Sequence, residues 1–155
     1  MGAWDLSEGV ATVFLGTHTP KLDDKGRLFL PARFREVLEP GVVITKGQEN
    51  CLFVFKKQDF EARASLLQQA SLTQRAAREY GRMFFSSAHD DTPDKQGRVT
   101  IPAVLRSYAK LTKDCVVLGA NDRLEIWDAG EWAAYEARAD VAFAEQDGEV
   151  LPGQF

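Results

Sequence analysis

The stretch DDKGRLFLPARFR, Asp23–Arg35, is followed 71 positions later by DKQGRVTIPAVLR, Asp94–Arg106. Six of the aligned pairs are identical: Asp23/Asp94, Gly26/Gly97, Arg27/Arg98, Pro31/Pro102, Ala32/Ala103 and Arg35/Arg106. Average composition would give roughly one such match. Three further pairs, Leu28/Val99, Leu30/Ile101 and Phe34/Leu105, exchange one apolar residue for another. Outside the window, His18 aligns with His89 and Phe14 with Phe85 at the same offset. Downstream, VVIT (Val42–Thr45) answers VVLG (Val116–Gly119), and LFVF (Leu52–Phe55) answers LEIW (Leu124–Trp127). The chain therefore reads as one unit written twice. The expected divisions are an N-terminal extension over 1–12, a first unit over 13–83, a second over 84–146 and a flexible tail over 147–155.

Each unit has a legible shape. An extended strand over Thr12–Asp23 leads into the turn Asp23-Asp24-Lys25-Gly26, where Asp ties down backbone donors and Gly accepts positive φ. RLFLP then alternates polar and apolar residues as a short strand does. Pro31 suits a helix start, and Phe34, Val37 and Leu38 place an apolar stripe on the short helix that follows. Two strands come next, Val42–Lys46 and Cys51–Phe55, joined by the polar GQEN. The second unit repeats this order, with strands at Arg98–Ile101, Cys115–Leu118 and Leu124–Trp127. A longer helix closes each unit. In the first, Ala62, Leu66 and Ala70 form its expected buried stripe, and a further helical stretch carries Ala76, Tyr80 and Met83. In the second, Asp128 and Glu131 have capping-box spacing. Trp127 and Trp132 flank that start as a staple, and Trp132, Tyr135, Ala139, Ala142 and Phe143 form a stripe for core or subunit contact.

One unit alone would leave strand edges open, which invites aggregation. Two interleaved units could complete each other. The fold class expected is α+β, mainly β: a duplicated, closed barrel with short helices and longer terminal helices.

Composition narrows the function. The chain has 155 residues, 45% hydrophobic and 27% charged, as a globular protein does. No apolar run approaches the ~20 residues of a membrane helix. The start, MGAWDLSEGVAT, lacks the basic and apolar blocks of a signal peptide. Cys51 and Cys115 share no metal-ligand spacing and read as buried free thiols in a reducing, cytoplasmic setting. The net charge of −4 argues against nucleic acid when taken whole, but it is unevenly spread. Lys21, Lys25, Arg27, Arg33 and Arg35 face only Asp23 and Asp24 in their stretch, a local balance of +3. Nine acids against two arginines give −7 between Asp122 and Glu149. A local field can be positive where the total is negative.

No GxSxG, HExxH, CxxC or P-loop pattern is present. His18 and His89 occupy matching strand positions but lack a third ligand, so no metal and no cofactor are expected. Asp23 and Asp94 could meet as a repeat-related acid pair, yet each lies in a D-x-x-G turn that it would normally tie down. No enzyme is expected. The arginines point elsewhere, because a planar guanidinium fork matches phosphate and the O6/N7 edge of guanine. The spacing Asp23…Arg27 and Asp94…Arg98 fits two readings equally, a salt bridge clamping the turn or an arginine held for a ligand.

The doubled D-x-x-G-R-[LV]-x-[LI]-P-x-x-[FL]-R, with FLGTHTPKLD, TKGQ and LEIWD, resembles the MraZ family of bacterial transcriptional regulators, related to the AbrB group. The resemblance runs from Val13 to about Phe143. It implies two SpoVT/AbrB-like repeats with a swapped-hairpin (double-psi-type) barrel. It also implies a ring homo-oligomer in the cytoplasm, associated with the nucleoid and not with membrane. That ring would bind repeats in the promoter of its own operon, the cell-division and cell-wall gene cluster. DNA-binding residues are then expected at Lys25, Arg27, Arg33, Arg35, Arg98 and Arg106, with Asp23, Gly26, Asp94 and Gly97 structuring the turns. Gln96 and Val104 replace Lys25 and Arg33 in the second copy, so the first is expected to dominate. Family members usually begin near Val13, which makes 1–12 an extension. The alternative is a ring-forming scaffold or small-ligand barrel that does not touch DNA, its acidic C-terminal helix engaging a basic partner.

Overall fold

The computed structural model describes residues 12–70 and 72–148. The expected extension and tail therefore fall almost entirely outside the described residues. Eight strands and five α-helices follow in the order β1 (Thr17–His18), β2 (Arg27–Phe29), α1 (Arg35–Leu38), β3 (Val42–Lys46), β4 (Leu52–Lys56), α2 (Lys57–Gln68), α3 (Arg75–Ser86), β5 (His89–Asp91), β6 (Arg98–Thr100), α4 (Ala103–Tyr108), β7 (Cys115–Gly119), β8 (Leu124–Asp128) and α5 (Ala129–Glu145). A 3₁₀ turn, Ala32–Phe34, leads into α1. Among these helices none is long and apolar enough to cross a membrane.

The strands form an antiparallel six-stranded sheet, ordered β1-β7-β8-β4-β3-β5, and a separate ribbon of β2 and β6. Exchanging every strand for its repeat equivalent reverses the sheet order onto itself, so the two copies are related by an internal twofold. The axis can be located. In the ribbon, Arg27 faces Thr100, Phe29 faces Arg98, and Leu28 faces Val99. In the sheet, Leu52 faces Ile126, Val54 faces Leu124, and Phe53 faces Glu125. Leu28/Val99 and Phe53/Glu125 are the pairs that map onto themselves, so the axis passes through both. Strands of the two copies alternate across it. β1 pairs with β7 of the other copy, and β5 with β3.

The architecture is thus α+β and mostly antiparallel, as expected, but it is not a closed barrel. The sheet ends at β1 and β5, which do not pair with each other, and the ribbon lies across one face. The local reason is visible in the first segment. Gly16 sits at φ 88° and breaks the run expected to be one strand. In its place stand β1 and, among the described residues, isolated bridges such as those at Phe14 and Lys21. Very short edge strands are one way of blunting an edge without closing it.

Burial on both faces explains the continuous apolar runs of the central strands. On the ribbon side, Leu28, Leu30, Val99 and Ile101 pack on Val42, Ile44, Leu52, Val54, Val117, Leu124 and Ile126, closed off by Phe14, Phe34, Leu38 and Leu105. On the opposite face Phe53, Phe55, Phe84, Val116 and Trp127 meet Phe60, Leu67, Tyr80, Trp132 and Tyr135 from α2, α3 and α5. Cys51 and Cys115 are buried free thiols. Burial pushes both thiol pKa values up, that of Cys115 to about 11.

Several side-chain assignments change. The inward face of α2 is Phe60 and Leu67, whereas Leu66 is exposed. On α3 it is Phe84 that is buried and Met83 that faces out. Phe85 lies on α3 while Phe14 lies in the extended segment, so their alignment has no structural counterpart. At the start of α5 the N-cap half of the expected box and the staple are present. Asp128 accepts the Gly130 and Glu131 N–H groups at 3.1 and 3.2 Å, and the Trp127 and Trp132 rings lie 5.1 Å apart. Its far end leaves Ala142 and Phe143 in solvent, so those two belong to no core of this chain.

Candidate nucleic-acid interface

The sheet presents the β2–β6 ribbon on one side and the long helices on the other. Alternation along the ribbon sends Leu28 and Val99 into the core and Arg27, Phe29, Arg98 and Thr100 outward. Phe29 is 47% exposed, and the Arg98 guanidinium lies 5.9 Å from its ring centre.

Each turn leading into the ribbon is closed by its own aspartate. Asp23 Oδ1 accepts the Lys25 and Arg27 backbone N–H groups at 2.9 and 2.8 Å, and Oδ2 accepts Arg27 Nε–H at 2.7 Å. In the second copy Asp94 Oδ1 accepts from the Gln96 and Arg98 N–H groups, both at 2.9 Å, and Oδ2 from Arg98 Nε–H at 2.8 Å. Gly26 and Gly97 close the turns at φ 76° and 84°, where a β-carbon is crowded. The Arg27 backbone N–H is the foremost cause holding the Asp23 carboxyl below the usual carboxylate range, and the Arg98 N–H does the same for Asp94. An acid pair sharing a proton would show one member raised. Both are lowered, and each is spent on its own loop.

Each aspartate thus binds its own arginine across the turn, and that contact does not exhaust the arginines. Asp23 engages only Nε of Arg27, and its terminal Nη1 and Nη2 donate to no group among the described residues. Arg98 is held the same way, with Nη1 a further 4.0 Å from Asp23 Oδ2. Fixing Nε orients each fork, and among the described residues it leaves the end of Arg27 open to a planar acceptor.

Lys25 stands exposed at the first tip. The second tip carries Lys95, which the aligned columns conceal because it faces Asp24 rather than Lys25. Neither ammonium is in an ion pair among the described residues. With Lys95 counted, the two windows carry equal charge. Lys25, Arg27, Arg33 and Arg35 stand against Asp23 and Asp24, and Lys95, Arg98 and Arg106 against Asp94, a balance of +2 in each. Within these two windows charge therefore does not favour either copy. The signal was present in the sequence, one position beside the column compared.

The remaining arginines lie elsewhere. Arg33 stacks over Phe34 at 5.1 Å, beside His18. Burial first, and Arg33 second, lower the pKa of His18. Arg35 lies against Gly97, and Arg106 lies against Gly26 while donating through Nη1 to the Ile101 carbonyl at 2.9 Å. Each thus reaches the other copy's turn. His18 and His89 fall on β1 and β5, the opposite edge strands, so the sheet order does not bring them together.

The model of the MraZ protein family, described as antitoxin-like, matches this chain twice, over residues 13–83 and 84–151. The chain belongs to the MraZ family. Two relatives, each named transcriptional regulator MraZ, come from Thermobifida fusca and Frankia alni. They are 59% and 61% identical to it over 141 residues, covering 91% of this chain and 99% of theirs. A third so named, from Micrococcus luteus, is 53% identical over 143 residues. This MraZ chain is accordingly a transcription regulator and not an enzyme. The doubled MraZ match coincides with the doubled Asp-clamped turn, so the feature most repeated in the sequence is also the one that shapes the ribbon.

Proposed function

We propose that this MraZ protein binds double-stranded DNA sequence-specifically through the β2–β6 ribbon. The observation that carries this is the outward ribbon face, where two arginines are clamped through Nε between two exposed lysine tips, and among the described residues neither terminal nitrogen of Arg27 donates a hydrogen bond. A two-stranded antiparallel ribbon fits the major groove, where a bidentate arginine reads guanine. Arg27 and Arg98 read base edges. Lys25, Lys95 and Arg33 hold phosphates. Asp23, Gly26, Asp94 and Gly97 set the geometry.

The net negative charge is no obstacle. The acidic α5 packs on the sheet face opposite the ribbon, so a duplex meets the basic side. The target is the promoter of the protein's own operon, the cell-division and cell-wall gene cluster, and the setting is the cytoplasmic nucleoid. Residues 13–83 and 84–146 serve as two SpoVT/AbrB-like repeats of swapped-hairpin type. Leu66, Leu72, Val141 and Phe143 expose 56–79% of their surface, which supports self-association into a ring. A ring repeats the ribbon at fixed spacing, and linkage multiplies affinity without new contacts.

Fluorescence anisotropy with a duplex from upstream of the protein's own gene, against a scrambled duplex, tests the reading at two salt concentrations. Tight, steeply salt-dependent binding is expected. Arg27→Ala should narrow the ratio between the two duplexes by roughly 1–3 kcal/mol. Equal, salt-insensitive signals for both duplexes would favour a scaffold or small-ligand protein instead.

A further inference from the structure

We infer that Arg35 and Arg106 are positioning residues that tie each tip of the ribbon to the other copy, so that the two tips are set as a pair. This rests on the DNA-binding reading for its consequence, though not for its geometry. Arg106, in the last turn of α4, donates through Nη1 to the Ile101 carbonyl at 2.9 Å. The same nitrogen lies over Gly26, so close that a β-carbon there would overlap it. Gly26 in turn accepts the Ile101 N–H through its carbonyl at 2.8 Å. The first turn, the end of β6 and α4 are thereby locked into one unit.

The mirror contact is Arg35 on Gly97. A β-carbon on Gly97 would meet Arg35 Nε at 2.7 Å, and the Gly97 carbonyl accepts the Leu30 N–H at 3.0 Å. Arg35 makes no side-chain hydrogen bond among the described residues and is exposed, so this brace is the looser one. The pairing also explains two identical columns of the repeat together. Each glycine is required by its positive φ, and a β-carbon at Gly26 or Gly97 would also push aside the guanidinium that covers it, Arg106 or Arg35.

A guanidinium turned into the chain in this way is a poor phosphate contact, and the two roles separate experimentally. Arg106→Ala should lower affinity for the promoter duplex about tenfold, the scale of one lost hydrogen bond from a charged donor. The salt slope should stay unchanged, whereas a lost phosphate contact lowers it by about one. Arg106→Lys should not restore binding, because a point charge lacks the planar fork. Combined with Lys25→Ala the losses should be less than additive, since both act through the first tip; combined with Lys95→Ala they should add.

Without DNA, amide exchange should quicken at Gly26 and not at Gly97. A slope lowered by one with full rescue by Arg106→Lys, or an unaltered Gly26 amide, overturns the inference. If the wild-type protein binds no DNA, the functional reading fails alone, and Gly26 exchange still decides the brace. Should Arg106→Ala not fold, Arg35→Ala reads the mirrored claim at Gly97, with faster exchange expected there and unchanged exchange refuting it.

Discussion

Leu28 and Phe29 are neighbours on β2 that the ribbon sends to opposite sides, and truncating each to alanine separates packing from recognition. Leu28 has no exposed surface and sits on the internal axis against Val99, whereas Phe29 is 47% exposed on the outer face. Leu28→Ala removes three carbons from the core, or roughly 2.4 kcal/mol at about 0.8 kcal/mol per buried methylene. A cavity term adds to that, because the site is walled by sheet side chains that cannot all relax. The total should be about 3–4 kcal/mol, inside the range of about 2–5 kcal/mol typical of buried leucines. In a chain of this size that is a fall in Tm of roughly 6–16 °C. Phe29→Ala should shift stability by no more than about 1 kcal/mol, yet weaken DNA binding, because its ring flanks Arg98 on the outward face. Urea melts at fixed protomer concentration, with anisotropy on the same samples, measure both. Equal destabilisation by the two variants would show that the ribbon does not lie on the sheet with Leu28 beneath it, and the assignment of its outer face to DNA would go with it.

Three other outcomes are expected. Lys25→Ala and Lys95→Ala should each lower the salt slope of DNA binding by about one, and the double variant by about two. A negligible effect at Lys95 would restore a dominant first tip. The clamps of Asp23 and Asp94 should persist on acidification. Their folded pKa values are depressed, so the stabilisation is complete above the ordinary aspartate value of about 3.9 and is lost only as pH falls through the lower folded values. An NMR titration of the Arg27 and Arg98 amides showing loss near pH 5 contradicts this. Cys51 and Cys115 should resist thiol reagents at pH 8 in the native protein and react on unfolding, because burial keeps both protonated. Fast native labelling would mean that the strands carrying them open readily.

Much of the candidate site was legible because the turns are local. Asp23 and Arg27 are four residues apart, and nearly everything that fixes their turn lies between them. The same holds for the Asp128 cap and the Trp127–Trp132 staple. Amphipathic stripes were read less well. On α2 and α5 the sequence shows an apolar face, but which part of it is covered depends on how far the helix runs over the sheet. Leu67 is covered while Leu66 is not, and α5 leaves the body before Phe143.

The sequence by itself determined that there are two copies, from a match repeated at a fixed offset, and where their turns lie, since each turn follows from residue identities within about five positions. Only the tertiary structure decided that the sheet stays open, that β2 and β6 meet on the axis as one ribbon, and that Arg35 and Arg106 cross to the opposite copy. Those contacts join residues some seventy positions apart. Their geometry comes from how two hydrophobic faces pack against each other, which no local pattern of residues encodes.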